Sequence, residues 1–105
     1  MLFFITNSEV ITLAEQITSL QVLISGKVQG VGYRYSTREK AIALNIVGWV
    51  RNLPNGQVEA LIIGKSTQIE QMLTWFQSGP PAAKVSSIET EETDPRPFNS
   101  FKIHR

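Results

Sequence analysis

The apolar residues of this chain change period several times, and each change marks a new element. Val22-Leu23-Ile24 is a continuous apolar run suited to a buried central strand, and a glycine-rich stretch beginning at Gly26 ends it. From Tyr33 to Leu44 the period becomes helical. Tyr33, Thr37, Ala41 and Leu44 share one stripe, with Arg38, Glu39 and Lys40 largely on the other side. Ile46 to Asn52 and Val58 to Ile63 read as two strands joined by Leu53-Pro54-Asn55-Gly56, whose Asn-Gly pair predicts a tight hairpin between antiparallel neighbours. A second helix follows, with Thr67 and Glu70 as a capping box, Ile69, Met72, Leu73 and Phe76 as its apolar face, and Gly79-Pro80-Pro81 as its stop. Val85 to Glu92 alternates imperfectly, in the manner of an edge strand with a bulge, and Phe101-Lys102-Ile103 alternates cleanly. Asp94-Pro95-Arg96-Pro97 is an exposed loop between them.

The resulting order, βαββαβ with a short extra C-terminal strand, predicts an α+β sandwich with two helices on one face of a mainly antiparallel sheet. Residues 1–19 stand apart as an extension. Val10, Leu13, Ala14 and Ile17 have helical spacing after a possible N-cap at Ser8, so the extension reads as a short helix or a loose tail, and residues 20–105 as the domain.

Length and composition narrow the function. A chain of 105 residues fits one core. Its formal net charge of +1 comes from mixed basic and acidic residues, without the clustered basic footprint that nucleic acid or an anionic membrane would require. A small diffusible anion fits better. The apolar opening Met1-Leu2-Phe3-Phe4-Ile5 lacks a basic flank and is followed by Glu9 and Glu15, so it does not read as a secretion signal; a cytoplasmic location is expected. No apolar stretch is long enough to span a bilayer. With no Cys and a single His, thiolate zinc, His-rich metal sites, disulfides and thiol nucleophiles are all excluded.

The chemistry therefore points to Gly26-Lys27-Val28-Gln29-Gly30-Val31-Gly32-Tyr33-Arg34, a loop between a strand and a helix. Glycines let successive backbone N–H groups converge on an anion, the helix start adds its unpaired donors, and Arg34 supplies a forked cation. An Arg in a first helical turn is otherwise poorly placed, because that end of a helix prefers anions. Two familiar nucleotide motifs fail here. A P-loop needs Lys and then Ser or Thr after its second glycine, and a dinucleotide fingerprint needs a third glycine where Tyr35 stands. A tyrosine-phosphatase-like loop needs a Cys.

Taken with Gly48-Trp49-Val50-Arg51-Asn52, this loop resembles the paired motifs of the acylphosphatase family. Asn55-Gly56-Gln57-Val58-Glu59-Ala60, Gly79-Pro80-Pro81 and Phe101-Lys102-Ile103 resemble the same family in order and spacing, so the similarity runs from about Leu20 to Arg105. The resemblance implies a ferredoxin-like fold and hydrolysis of the carboxyl–phosphate anhydride of small acyl phosphates, without metal or cofactor and without a covalent intermediate. It further implies that Arg34 binds the phosphate, that Asn52 positions the attacking water, and that the backbone N–H groups of Gln29, Gly30, Val31, Gly32, Tyr33 and Arg34 form the cradle. A monomer with no nucleic-acid or membrane partner is expected.

Each residue also has a plainer reading. The glycines can serve a tight turn alone, Arg34 can be a surface charge, and Asn52 can simply end a strand. Trp49 reads as core or partial core, Tyr33 as an anchor of the loop, and Lys27 and Arg51 as solvated charges or as contributors to a positive field. His104 has no acidic or nucleophilic neighbour in sequence. Two other functions share the pattern. A phosphate-sensing regulatory domain would bind without turnover. An RNA-binding module would need aromatic residues on the central strands, and Val58 to Ile63 has none.

Overall fold

A computed structural model describes residues 16–105 of the chain. They form β1 (Ile17–Lys27), α1 (Tyr33–Ala43), β2 (Val47–Asn52), β3 (Val58–Lys65), α2 (Ser66–Phe76), β4 (Lys84–Glu92) and β5 (Phe101–Ile103). This is the predicted order, in a ferredoxin-like α+β arrangement of two helices on a mixed five-stranded sheet. The strands lie in the order β4-β1-β3-β2-β5. All pairs are antiparallel except β2 with β5, which run parallel through Gly48↔Phe101, Trp49↔Lys102 and Val50↔Ile103.

Position in the sheet explains the hydrophobic pattern. β3 is flanked on both sides, and its run Val58 to Gly64 is buried throughout. Side chains alternate between faces, so Leu20, Val22 and Ile24 of β1, Val50 of β2 and Val58, Ala60 and Ile62 of β3 meet the helices. The helices contribute Tyr33 and Ala41 from α1 and Ile69, Met72 and Phe76 from α2. Burying a side chain the size of Met72 or Phe76 contributes about 1.5–3 kcal/mol. The other face is more polar. There Glu59 accepts from Gln21 Nε2 at 2.6 Å and from Arg51 Nε at 2.7 Å. The half-buried Trp49 sits on this face rather than in the core, stacked on His104 at 5.4 Å with the Arg51 guanidinium 5.1 Å from its ring centre. Arg51 is thus engaged by Glu59 and Trp49, and Lys27 is exposed at the end of β1.

Several local expectations change. β1 starts at Ile17, paired with Lys65, because the ladder with β3 continues beyond the apolar run. The helix read over Val10, Leu13 and Ala14 falls outside the described residues, and Ile17 belongs to β1. The Thr67–Glu70 capping box does not form: β3 passes into α2 with Lys65 as the N-cap and no side-chain cap. Ser66 instead bonds to the Gln16 carbonyl at 2.8 Å and to the Thr18 hydroxyl at 2.6 Å. Asn55-Gly56 does not hold the two central turn positions. The turn is Leu53-Pro54-Asn55-Gly56, closed by Gly56 N–H to Leu53 O at 3.2 Å, with Gly56 at φ 96° and the Asn55 side chain accepting from Gln57 N–H at 3.0 Å. β4 is an edge strand as expected, and its register against β1 shifts between Ser25 and Gly26.

Candidate active site

The loop between β1 and α1 is pinned at both ends. Val28 and Tyr33 are each 1% exposed. The Tyr33 hydroxyl donates to the Phe76 carbonyl at 2.8 Å, and its ring stacks on Phe76 at 6.1 Å; burial pushes the phenol pKa up. Between these anchors the chain reverses hand twice, with Gly30 at φ 73° and Gly32 at φ 78° on either side of Val31. Alternation of this kind turns consecutive N–H groups toward one side. Gly32 is also the N-cap of α1, which has no side-chain cap and no acidic residue in its first turn. The first N–H of the helix with a backbone acceptor is that of Ser36, bonded to Gly32 O at 3.0 Å. Among the described residues, the N–H groups of Gln29, Gly30, Val31, Gly32 and Tyr33 have no backbone acceptor. An uncapped helix start next to open loop donors is an anion site in waiting.

Side chains complete the site. Val28, Gly30, Gly32 and Arg34 line a small cavity of about 200 Å³ together with Asn52, the last residue of β2. Arg34 has no carboxylate partner among the described residues, so its charge is uncompensated by the fold. Asn52 Oδ1 is buried and accepts no hydrogen bond from the protein. Thr37 Oγ1 and Gln68 Oε1 are likewise buried without a partner, so the unpaired oxygen of Asn52 does not by itself mark a function. Of the residues singled out in the sequence, Gly30, Gly32, Arg34 and Asn52 line this cavity, whereas Gln29, Val31 and Tyr33 are not part of its lining.

Tyr35, Ile103 and Arg105 share the same cavity, and no role had been read for them. Tyr35 is 64% exposed and gives the rim an aromatic surface. Ile103 and Arg105 arrive because β5 runs parallel to β2 and so ends at the same edge as Asn52. No local sequence signal announces a parallel pairing between strands so distant in the chain. His104, between them, stacks on Trp49 and is not part of the cavity lining. Among the described residues no three His, Asp or Glu side chains gather as a metal site.

Comparison with known proteins places this geometry in a family. The family model for acylphosphatase matches residues 20–103. An acylphosphatase of Acaryochloris marina is 55% identical over 89 residues, covering 85% of this chain and 96% of the relative. The structure is similar to that of an acylphosphatase from Coxiella burnetii, with a TM-score of 0.81, 40% identity, and coverage of 84% of this chain and 93% of that one. It is also similar to an acylphosphatase from Bacillus subtilis, with a TM-score of 0.82 and 28% identity, covering 86% of this chain and all of that one (100%). Gly30, Gly32, Arg34 and Asn52 line one cavity in a chain whose residues 20–103 match the family model, and the chain belongs to the acylphosphatase family.

Proposed function

We propose that this acylphosphatase holds the phosphate of its substrate with Arg34 and the N–H groups of Gln29 to Arg34, and orients the attacking water with Asn52. The observation that supports the reading is that Gly30, Gly32 and Arg34 line one cavity together with Asn52, which comes from a separate element. A cavity of about 200 Å³ suits a phosphate-sized anion, with the acyl part of the substrate emerging past Tyr35 and Ile103.

The chemistry asks little of the side chains. The water oxygen attacks phosphorus, the bond from phosphorus to the acyl oxygen breaks, and the carboxylate leaves with the bonding pair. The products are a carboxylate and inorganic phosphate. A carboxylate is already a good leaving group, so general-acid help is unnecessary, and a phosphate oxygen takes the proton of the water. What remains for the protein is placement and charge stabilisation. Arg34 makes a forked contact to two phosphate oxygens, and the loop amides hold the charge that shifts in the transition state. Asn52 cannot ionise, so it orients the water through its amide and is no strong base.

We place the enzyme in the cytoplasm as a monomer acting on a free small substrate, without nucleic-acid or membrane partners. The mixed charge, with a net +1, supports this. No helix among the described residues is long and apolar enough to cross a membrane.

The test is hydrolysis of benzoyl phosphate at neutral pH, with the uncatalysed rate subtracted, by the parent, Arg34→Ala and Asn52→Ala, each checked for folding by circular dichroism. Loss of the Arg34 charge is expected to lower kcat/KM by about 10³-fold or more and to abolish phosphate inhibition. Loss of the Asn52 amide is expected to lower kcat by about 10²–10³-fold while phosphate still binds. Undiminished turnover in either folded variant removes that residue from the mechanism. Phosphate binding by the parent without turnover would instead mark a regulatory domain.

A further inference from the structure

The two walls of the cavity come from elements that share no strand pairing: the loop after β1 and the end of the β2–β3 hairpin. The Gln29 side chain bridges them directly. Gln29 Nε2 donates to Leu53 O at 2.8 Å and to Gln57 O at 2.9 Å, one hydrogen to each side of the hairpin. Two carbonyl acceptors fix the orientation of the amide, since its own oxygen would be repelled there. The same two hairpin residues are bonded to each other, Leu53 N–H to Gln57 O at 2.8 Å, so Gln29 grips the neck of the hairpin rather than its tip. Leu53 directly follows Asn52. A parallel tie runs from Gln57 Nε2 to Ser25 Oγ at 2.9 Å, just before the loop begins.

We propose that the Gln29 side chain is a positioning residue for hydrolysis: it fixes the hairpin neck against the phosphate loop and thereby sets Asn52, and the water Asn52 orients, at the right distance from phosphorus. This rests on the roles assigned above to Arg34 and Asn52. The backbone of Gln29 belongs to the cradle, while its side chain points away from the phosphate and acts through another residue. Gln29 thus links the two halves of the mechanism: phosphate binding depends on the loop alone, and attack depends on the distance between loop and hairpin. Misplacement of a reacting group by about 1 Å is enough to lower a rate by about 10²-fold.

The experiment is a double-mutant cycle of Gln29→Met and Asn52→Ala, with kcat for benzoyl phosphate and the inhibition constant for inorganic phosphate measured in all four proteins. Methionine keeps the length of the side chain and removes both donors. The expected result is a kcat lowered by about 10–100-fold in Gln29→Met, within the range that misplacement produces. Its phosphate constant is expected to stay within about threefold of the parent, since the backbone donors and Arg34 remain in place. In the Asn52→Ala background the same substitution is expected to lower kcat by less than about twofold, because the residue it positions is already gone. Losses that multiply across the cycle, or phosphate affinity falling in step with kcat, overturn the proposal and make Gln29 a general support of the loop. If Asn52→Ala alone keeps the parent kcat, the role of Asn52 falls and this inference falls with it. If Gln29→Met does not fold, the cycle is run with Gln29→Asn, whose shorter amide retains donors but cannot span both carbonyls. A partial loss of kcat that again vanishes in the Asn52→Ala background is expected, and an undiminished kcat overturns the proposal.

Discussion

Gly32 in the loop between β1 and α1 and Gly48 in β2 both sit at positive φ, 78° and 133°, yet a methyl group added to each would meet different surroundings. At Gly48 it would lie 1.9 Å from the backbone oxygen of Leu61 on β3, inside the ladder. At Gly32 it would meet no protein atom within 4 Å. Gly30, the other glycine of the loop, is equally open. The β2–β3 ladder uses glycine to bring two backbones together, whereas the loop uses it to keep a backbone bare. The first arrangement stabilises the fold. The second leaves donors and space that the fold itself does not use, and the same is true of the oxygen of Asn52, which lines the same cavity. Sites for anions are built by such omission, in a frame rigid enough to keep the donors aimed.

Substitution at the two positions should separate these roles. Gly48→Ala is expected to be the more damaging, because neither backbone can move without breaking the ladder: a loss of about 3–5 kcal/mol, a large part of the roughly 5–15 kcal/mol that holds a domain together. Urea unfolding followed by circular dichroism would show it as a collapsed midpoint, and activity would fall only in proportion to the folded fraction. A stable Gly48→Ala protein would mean that the ladder is looser than its geometry implies.

Gly32→Ala should show the reverse balance. The left-handed conformation penalises a Cβ by about 1–2 kcal/mol, so the protein still folds. Gly32 lines the cavity, so the added methyl takes up space beside it, and kcat/KM is expected to fall by about 10²-fold, comparable to losing one donor from an oxyanion site. Measured side by side, unfolding midpoint and kcat/KM should rank the two variants in opposite orders. Equal ranking by both would erase the distinction between the loop and the ladder.

The same contrast explains what could be read in advance. The ladder and both helix faces follow from period alone, and the apolar runs of β1 and β3 and the Tyr33, Thr37, Ala41 stripe placed the sheet and α1 correctly. Arg34 and Asn52, which line one cavity, could be singled out because their motifs are short and self-contained. What escaped depended on partners far along the chain. The hydroxyl of Ser66 is taken by Gln16 and Thr18, and α2 starts straight from β3 with its N-cap at Lys65, so Thr67 lies inside the helix and not at the cap that the Thr67–Glu70 grammar requires. Ile103 and Arg105 reach the cavity only through the parallel pairing of β5. The side chain of Gln29 gains its purpose from a hairpin more than twenty residues away, at Leu53 and Gln57.

Tyr33 belongs to both regions and gives the mildest test. Its backbone closes the loop while its side chain lies in the core, bonded to the Phe76 carbonyl. Tyr33→Phe removes that bond and leaves a buried carbonyl with one partner fewer, a loss of about 1–2 kcal/mol, while the ring keeps its stack on Phe76. Because the loop is also held by Val28, kcat/KM is expected to change by less than about threefold, far below the losses at an oxyanion donor. The pH dependence has a definite sign. Burial raises the folded-state pKa of this phenol above its ordinary value of about 10, so its contribution to stability is complete below that value and declines as pH rises past it. The parent should therefore lose stability above about pH 10 more steeply than Tyr33→Phe, with the two curves converging as the tyrosine advantage is used up. Parallel curves would show that the phenol reaches solvent in the folded protein, and would take from the loop the anchor that keeps its bare backbone in place.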